Sequence, residues 1–82
     1  MFEIGQELTI NGKKGIICFN SEYNGKHYSN VFYEETNEYK PYEIIKDDQG
    51  YVLKAVTDLD LLNSLTAIWV AQELETFEQS QE

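Results

Sequence analysis

Cys18 and His27 are the single thiol and the single imidazole of the chain, so they are the first candidate pair for nucleophilic catalysis. A cysteine attacks a carbonyl carbon as its thiolate, and a histidine that takes the proton must lie within hydrogen-bond distance. A hairpin that pairs Tyr23 with Lys26 places Cys18 opposite Val31, four residues along that strand from His27. Four residues of strand span about 13 Å, and the alternative register, with a five-residue loop, sends the two side chains to opposite faces. We therefore expect Cys18 to be a small buried hydrophobe and His27 to be a solvated residue beside a turn.

Metal and phosphate chemistry also lack the residues they need. One Cys and one His cannot complete the tetrahedral ligand set of a structural zinc site. The run DDQG over residues 47–50 is similar to the start of a calcium loop, but the strand-like residues 51–53 follow where the later acidic ligand is needed. Glu34 and Glu35 alternate across a predicted strand, so their carboxylates do not share a site. The five glycines are isolated from one another, so the sequence has no glycine-rich phosphate loop. The sequence therefore predicts a non-enzymatic protein without metal or cofactor.

The charge and size of the chain limit its kinds of partner. It has 82 residues, with fifteen acids, six lysines, no arginine and a formal net charge of −9. Arginine is the usual bidentate reader of phosphate and guanine, so its absence argues against direct nucleic-acid binding, and the negative charge disfavours anionic membranes. A single cysteine, with no signal peptide at Met1-Phe2-Glu3, predicts a reduced, cytoplasmic protein. We expect one domain over residues 1–78 and a frayed tail over residues 79–82.

The first two thirds of the chain are predicted to form a β-meander. Asn11-Gly12 and Asn24-Gly25 favour type I′ turns, in which both central residues take a positive φ. Residues 47–50 and Thr36-Asn37 are further turn signals. The segments between the turns are rich in β-branched and aromatic residues, which predicts antiparallel strands over residues 7–10, 13–20, 26–35, 39–46 and 51–55.

The predicted register gives the sheet two apolar faces. One face holds Ile16, Cys18, Val31 and Tyr33, and the other holds Ile17, Phe19, Tyr28 and Phe32. Such a sheet must be covered twice, by curling on itself and by a helix. Pro41 has no amide donor, which predicts that the strand over residues 39–46 lies at a sheet edge or carries a bulge. The predicted fold is α+β: a five-stranded antiparallel meander that curls into a half or full small barrel, capped by one C-terminal amphipathic helix.

The C-terminal segment supplies this helix and gives it two apolar stripes. Thr57-Asp58-Leu59-Asp60 fits a loose capping box, and helical spacing continues to about residue 76. At about 100° per residue, one stripe suited to covering the sheet consists of Leu61, Leu62, Leu65, Ile68 and Trp69. A second stripe, on almost the opposite side, consists of Leu59, Val70, Leu74 and Phe77.

The second stripe is not needed to close a core made of one sheet and one helix. Glu73 and Glu78 lie toward the negative end of the helix dipole, where each acid costs a few tenths of a kcal/mol, and no basic residue follows Lys54. Exposed apolar side chains beside unfavourable charge are typical of a partner surface. Three covers stay open: the N-terminal segment over residues 2–4, a second copy of the chain, or a different protein.

The stretch IGQELTINGKKGII over residues 4–17 resembles the opening of small β-barrels of the KOW and Tudor kind. In those barrels a G-x-x-V entry strand is followed by a short turn and a G-x-I/V second strand. Tyr28-x-x-Val31-x-Tyr33 and Tyr42-x-Ile44 would then be strands three and four, so the resemblance covers residues 4–55. Such folds commonly bind peptides, proteins or nucleic acids through loops and an aromatic groove, which implies groove positions at Tyr23, Tyr28 and Tyr42. The basic surface of the nucleic-acid binders is missing here, and the C-terminal helix is an addition.

These patterns predict a small acidic protein-interaction module. Its partner, another protein or a second copy, is expected to contact Leu59, Val70, Leu74, Phe77, Glu73 and Glu78. The alternative is an inhibitor of the phage anti-defence type, which presents spaced carboxylates to the basic nucleic-acid groove of another protein. Small size, the charge of −9 and the absence of arginine motivate that alternative.

Overall fold

The computed structural model describes residues 2–80, with side chains as far as Leu74. Its elements in chain order are β1 (Glu7–Ile10), β2 (Lys13–Tyr23), β3 (Lys26–Tyr33), β4 (Glu38–Asp47), β5 (Gly50–Ala55) and α1 (Leu59–Ser80). Within the described range, no helix has the length and apolar character needed to cross a membrane.

The strands form one antiparallel sheet in the order β1-β2-β3-β4-β5, which curls into a half-barrel with α1 at its C-terminal end. The predicted α+β meander is therefore confirmed. Asn24 and Gly25 take φ values of 51° and 76° at the β2–β3 turn, and Asn11 and Gly12 take 51° and 79° at the β1–β2 turn. Because these residues tolerate positive φ, each Asn-Gly pair fixes a tight hairpin.

A β-bulge at Cys18 interrupts the pairing of β2 with β3. Tyr23 pairs with Lys26 as predicted, and regular pairing continues as far as Phe19 and Asn30. The register then shifts by one residue, and Cys18 is the residue without a partner in the ladder. A bulge of this kind bends the strand and increases its twist, which suits a sheet that curls.

The bulge overturns the predicted faces of the sheet beyond Cys18. Ile17 pairs with Val31, and Ile16 pairs with Phe32, whereas regular pairing predicts Cys18 opposite Val31. Ile17, and not Cys18, therefore lies in the buried cluster with Val31. The sequence could not show this because an extra residue in a strand leaves no local pattern.

Both faces of the sheet are covered, as the two apolar faces predict. The inner face, on which the sheet curls, is built from buried Ile17, Val31, Tyr33 and Tyr42, with Phe2, Leu8, Ile10 and Leu53 packed around them. The outer face lies under α1 and is built from buried Tyr28, Leu65 and Trp69, with Phe19, Tyr23, Val56, Leu61 and Ile68. The predicted sheet-facing stripe of α1 is therefore correct.

The N-terminal segment closes the inner face. The Gly5 amide donates to the Ile17 carbonyl at 2.7 Å, and the Ile17 amide donates to the Gln6 carbonyl at 3.0 Å. Asn20 Nδ2 donates to the Phe2 carbonyl at 2.9 Å. These bonds hold Phe2 against the inner cluster.

The prediction for the strand that contains Pro41 is wrong, because β4 lies between β3 and β5 and its pairing shows no bulge. The proline is accommodated because β5 ends at Ala55, opposite Tyr42. The amide of Val56 donates to the Pro41 carbonyl at 3.1 Å. The missing N–H of Pro41 therefore faces the point where the β4–β5 ladder ends. No described strand pairs with residues 38–40 on this side, so β4 has a free edge there.

Helix α1 begins one residue later than a cap at Thr57 requires and ends four residues beyond the predicted end near residue 76. Asp58 is the N-cap: its Oδ1 accepts from the amides of Asp60 at 2.9 Å and Leu61 at 3.4 Å. Its carbonyl accepts the first helical bond, from the Leu62 amide at 2.9 Å. Gln79 and Ser80 of the predicted tail lie in the helix, and residues 81–82 lie outside the described part of the chain.

Candidate functional site

A groove of about 490 Å³ lies between α1 and the outer face of the sheet, and it is the first candidate for a ligand site. Its sheet side is lined by Phe19, Asn30, Tyr39 and Pro41. Its helix side is lined by Leu62, Thr66, Trp69, Val70 and Glu73. The volume falls within the range of about 300–1,000 Å³ that is common for ligand sites.

The groove lies beside the free edge of β4. Tyr39 and Pro41 both belong to the part of β4 that extends past the last β4–β5 pair. The Tyr39 ring is 59% exposed and packs at 4.9 Å, between centroids, on the ring of Phe32. One border of the groove is therefore both aromatic and an open strand edge.

Two buried polar atoms of the groove residues have no hydrogen-bond partner. Asn30 Oδ1 is an acceptor and Trp69 Nε1 is a donor, and neither is bonded within the described structure. Trp69 is 5% exposed. Both atoms are shielded from solvent, and leaving a buried donor or acceptor unpaired costs about 1–3 kcal/mol.

The groove carries one charged group. Glu73 is exposed at its border, and the two ion pairs found among the described side chains, Lys14–Glu7 and Lys26–Glu43, do not include it. Because no lysine lines the groove, its electrostatic potential is negative.

The predicted partner surface on α1 is exposed where the structure describes it. Leu59, Val70 and Leu74 are 75%, 48% and 57% exposed, and Glu73 is exposed as well. Val70 and Glu73 line the groove, and Leu74 is the next residue of the helix. Leu59 is eleven residues from Val70, about 16 Å along a helix, so it lies apart from them. The side chains of Phe77 and Glu78 lie outside the described part.

The N-terminal segment does not cover this surface. Phe2 packs on the inner face of the sheet, with its ring 5.8 Å from that of Tyr51 between centroids. Ile4 is 67% exposed. The N-terminal segment is therefore not the cover of this surface, and a second copy or a different protein stays a prediction.

The three tyrosines expected to form an aromatic groove do not share one surface. Tyr23 and Tyr28 line a smaller cavity of about 310 Å³ near the start of α1, where Tyr23 Oη lies 3.5 Å from Ser64 Oγ. Tyr42 is buried on the inner face, and its hydroxyl lies 2.5 Å from that of Tyr33. Sheet pairing explains the separation, since Tyr42 is opposite Ser29 and so faces away from Tyr28.

The buried tyrosines stay protonated and do not act as bases. Burial raises the pKa of Tyr33, and the hydrogen bond to Tyr42 raises it further. Burial also raises the pKa of Tyr28, and the negative charge of Glu43 adds to the effect. Both hydroxyls are therefore structural groups at neutral pH.

Cys18 and His27 are not brought together. Cys18 lies in the bulge with its Sγ 3.7 Å from the Ile16 carbonyl, and His27 is exposed opposite Glu22. Burial raises the pKa of the Cys18 thiol, although a hydrogen bond to the backbone of Phe32 opposes that effect, so the reactive thiolate is disfavoured. Among the described residues, no group of three or more His, Cys, Asp or Glu side chains is placed to hold a metal ion.

The predicted partner surface includes Val70 and Glu73, which line the groove, whereas the sequence did not point to Asn30, Tyr39 or Pro41 as residues of the groove. Alternation along β3 places Asn30 on the same face as Tyr28, but no local pattern indicates that this part of the face borders a groove. Tyr39 and Pro41 depend on where β5 ends. Trp69 was expected in the core, and its unpaired Nε1 is visible only in three dimensions.

Comparison of the chain with protein-family models, curated proteins and solved structures finds no match. The resemblance of residues 4–55 to KOW and Tudor barrels stays a prediction. A function for this chain therefore has to be inferred from its own groove and helix surface.

Proposed function

We propose that the protein is a non-enzymatic interaction module of the cytoplasm that binds a partner protein through the groove and the adjoining surface of α1. The observation that carries the proposal is the continuity of the two features: Val70 and Glu73 line the groove, and exposed Leu74 follows them on the helix. A partner that covers this region removes exposed apolar area from water, which contributes about 25 cal/mol per Å².

Val70→Asp tests the proposal, because it places a charge in the centre of the surface. Val52→Asp is the matched control: Val52 is 47% exposed against 48% for Val70, and it lies on β5, outside the groove. We expect Val70→Asp, and not Val52→Asp, to lose the proteins retained by the wild-type chain in affinity capture, or to halve a dimer mass measured by light scattering. An unchanged oligomeric state together with an unchanged set of retained proteins would contradict the proposal.

The acidic inhibitor is a second candidate, and the distribution of carboxylates favours it. Glu43 is half-buried, but every other acidic side chain described between residues 2 and 74 is exposed. The attraction between exposed carboxylates and a basic nucleic-acid groove acts at long range, and it weakens steeply as salt screens the charges. Binding to immobilised basic nucleic-acid-binding proteins should therefore fall between low and high salt and compete with nucleic acid. Salt-insensitive binding, or no binding to any of them, argues against an inhibitor.

A further inference from the structure

We propose that the groove binds an extended, basic peptide segment of another protein, with one apolar side chain inserted between α1 and β4. This inference rests on the proposed function and names the chemistry of the partner. The peptide main chain bonds to the open edge of β4 beside Tyr39, and a lysine or arginine beside the inserted residue pairs with Glu73.

The walls of the groove select an apolar side chain. They are made largely of rings and aliphatic groups, contributed by Phe19, Tyr39, Leu62, Trp69 and Val70. The unpaired Asn30 Oδ1 and Trp69 Nε1 are shielded from solvent, so they are not contact atoms for a ligand that lies in the groove. The polar part of the ligand is therefore set by the strand edge and by Glu73.

The strand edge favours an extended chain over a small amide. In a strand, the N–H and C=O of one residue point to the same neighbour, and those of alternate residues point the same way. The Pro41 carbonyl faces the side of β5, where it accepts from Val56. The main chain of Tyr39 therefore faces the same side, beyond the end of β5, and Tyr39 lines the groove. A peptide that adds a strand at this edge gains main-chain bonds and delivers alternate side chains to one face.

Charge decides against a second copy as the occupant. The chain carries −9, and Glu73 is the charged residue that lines the groove. The two adjacent lysines of the chain, Lys13 and Lys14, belong to β2, and Lys14 already pairs with Glu7 at 3.2 Å. Two copies would repel each other, whereas a basic segment of a different protein is attracted.

The indole of Trp69 gives a direct test, because Trp69 is the single tryptophan of the chain. Its Nε1–H produces one side-chain signal in a nitrogen–proton correlation spectrum. The probes are the capped tripeptides acetyl-Lys-X-Lys-amide, in which X is Leu, Ile, Phe or Met, titrated into the full-length, isotope-labelled protein. We expect at least one to shift the indole signal saturably, with a Kd of about 1 mM, and N-methylation of the amide of X to weaken binding about tenfold or more.

Any one of three results overturns the inference. In the first, the indole signal does not shift with any tripeptide. In the second, the N-methylated peptides and the Glu-X-Glu peptides bind as tightly as the parent peptides. In the third, N-methylacetamide alone produces the same shift at the same concentration, which indicates a site for a small amide. None of these measurements needs a variant to fold. If Val70→Asp loses the retained proteins but the indole signal stays fixed with every tripeptide, the interaction module stands and only the peptide proposal fails. If Val70→Asp changes nothing and the indole signal also stays fixed, both proposals fail.

Discussion

The indole of Trp69 stacks on the ring of Phe19, with centroids 6.3 Å apart and ring planes at 22°. This contact joins α1 to β2 one residue after the bulge at Cys18. Regular alternation would place Ile17 on the same face as Phe19, and the extra residue instead turns Ile17 to the inner face while Phe19 stays under the helix. The bulge therefore lets β2 contribute Ile17 to the inner cluster and Phe19 to the outer one.

The outer core depends on the sheet-facing stripe of α1, which a matched pair of leucines tests. Leu65 is 0% exposed and Leu59 is 75% exposed on the same helix. We expect Leu65→Ala to lower the free energy of unfolding by about 2–5 kcal/mol. Leu59→Ala should change it by less than about 0.5 kcal/mol. Urea unfolding followed by the fluorescence of Trp69 measures both, and equal losses would mean that the helix does not pack as described.

Asn30 and Asn20 should respond in opposite ways to the same substitution. Asn20 accepts from the buried Ser29 hydroxyl and donates to the Phe2 carbonyl, so Asn20→Leu leaves both partners unsatisfied. The free energy of unfolding should fall by about 1–3 kcal/mol for each. Asn30→Leu removes a buried acceptor that has no bond, so stability should be unchanged or higher. A loss for Asn30→Leu as large as that for Asn20→Leu would show that Asn30 has a structural partner.

Alkaline pH should weaken the fold through Tyr33. Its pKa is raised above the ordinary tyrosine value of about 10, so the unfolded chain loses the hydroxyl proton at a lower pH than the folded chain. The stabilisation is complete below about pH 10 and is lost as pH rises toward the folded-state pKa. We expect the urea midpoint to fall more steeply above pH 10 in the wild type than in Tyr33→Phe. Parallel pH profiles for the two proteins would contradict this cause.

Most of the fold could be predicted because turns and helical spacing depend on neighbouring residues. The groove could not be predicted because it depends on contacts between segments that are distant in the sequence. Asn24-Gly25 fixes its hairpin because the turn depends on the φ angles of two residues, and the stripe of Leu65 and Trp69 follows from helical spacing alone. The bulge at Cys18 and the end of β5 opposite Pro41 depend on how distant segments fit. Alternation along β3 places Asn30 on the same face as Tyr28, but its position in the groove depends on where α1 crosses that face.

Glu73 should control the salt dependence of peptide binding. If its carboxylate pairs with a lysine of the tripeptide, Glu73→Gln removes an attraction and leaves the apolar contacts in place. We expect the affinity for acetyl-Lys-X-Lys-amide to fall about twofold to fivefold at low salt, as for an exposed ion pair worth up to about 1 kcal/mol, and the difference from the wild type to vanish at high salt. Glu22→Gln is the control, because Glu22 is also exposed and lies in β2, outside the groove. Since both variants change the net charge equally, an equal loss of affinity in the two would assign the effect to overall charge and would refute a specific role for Glu73.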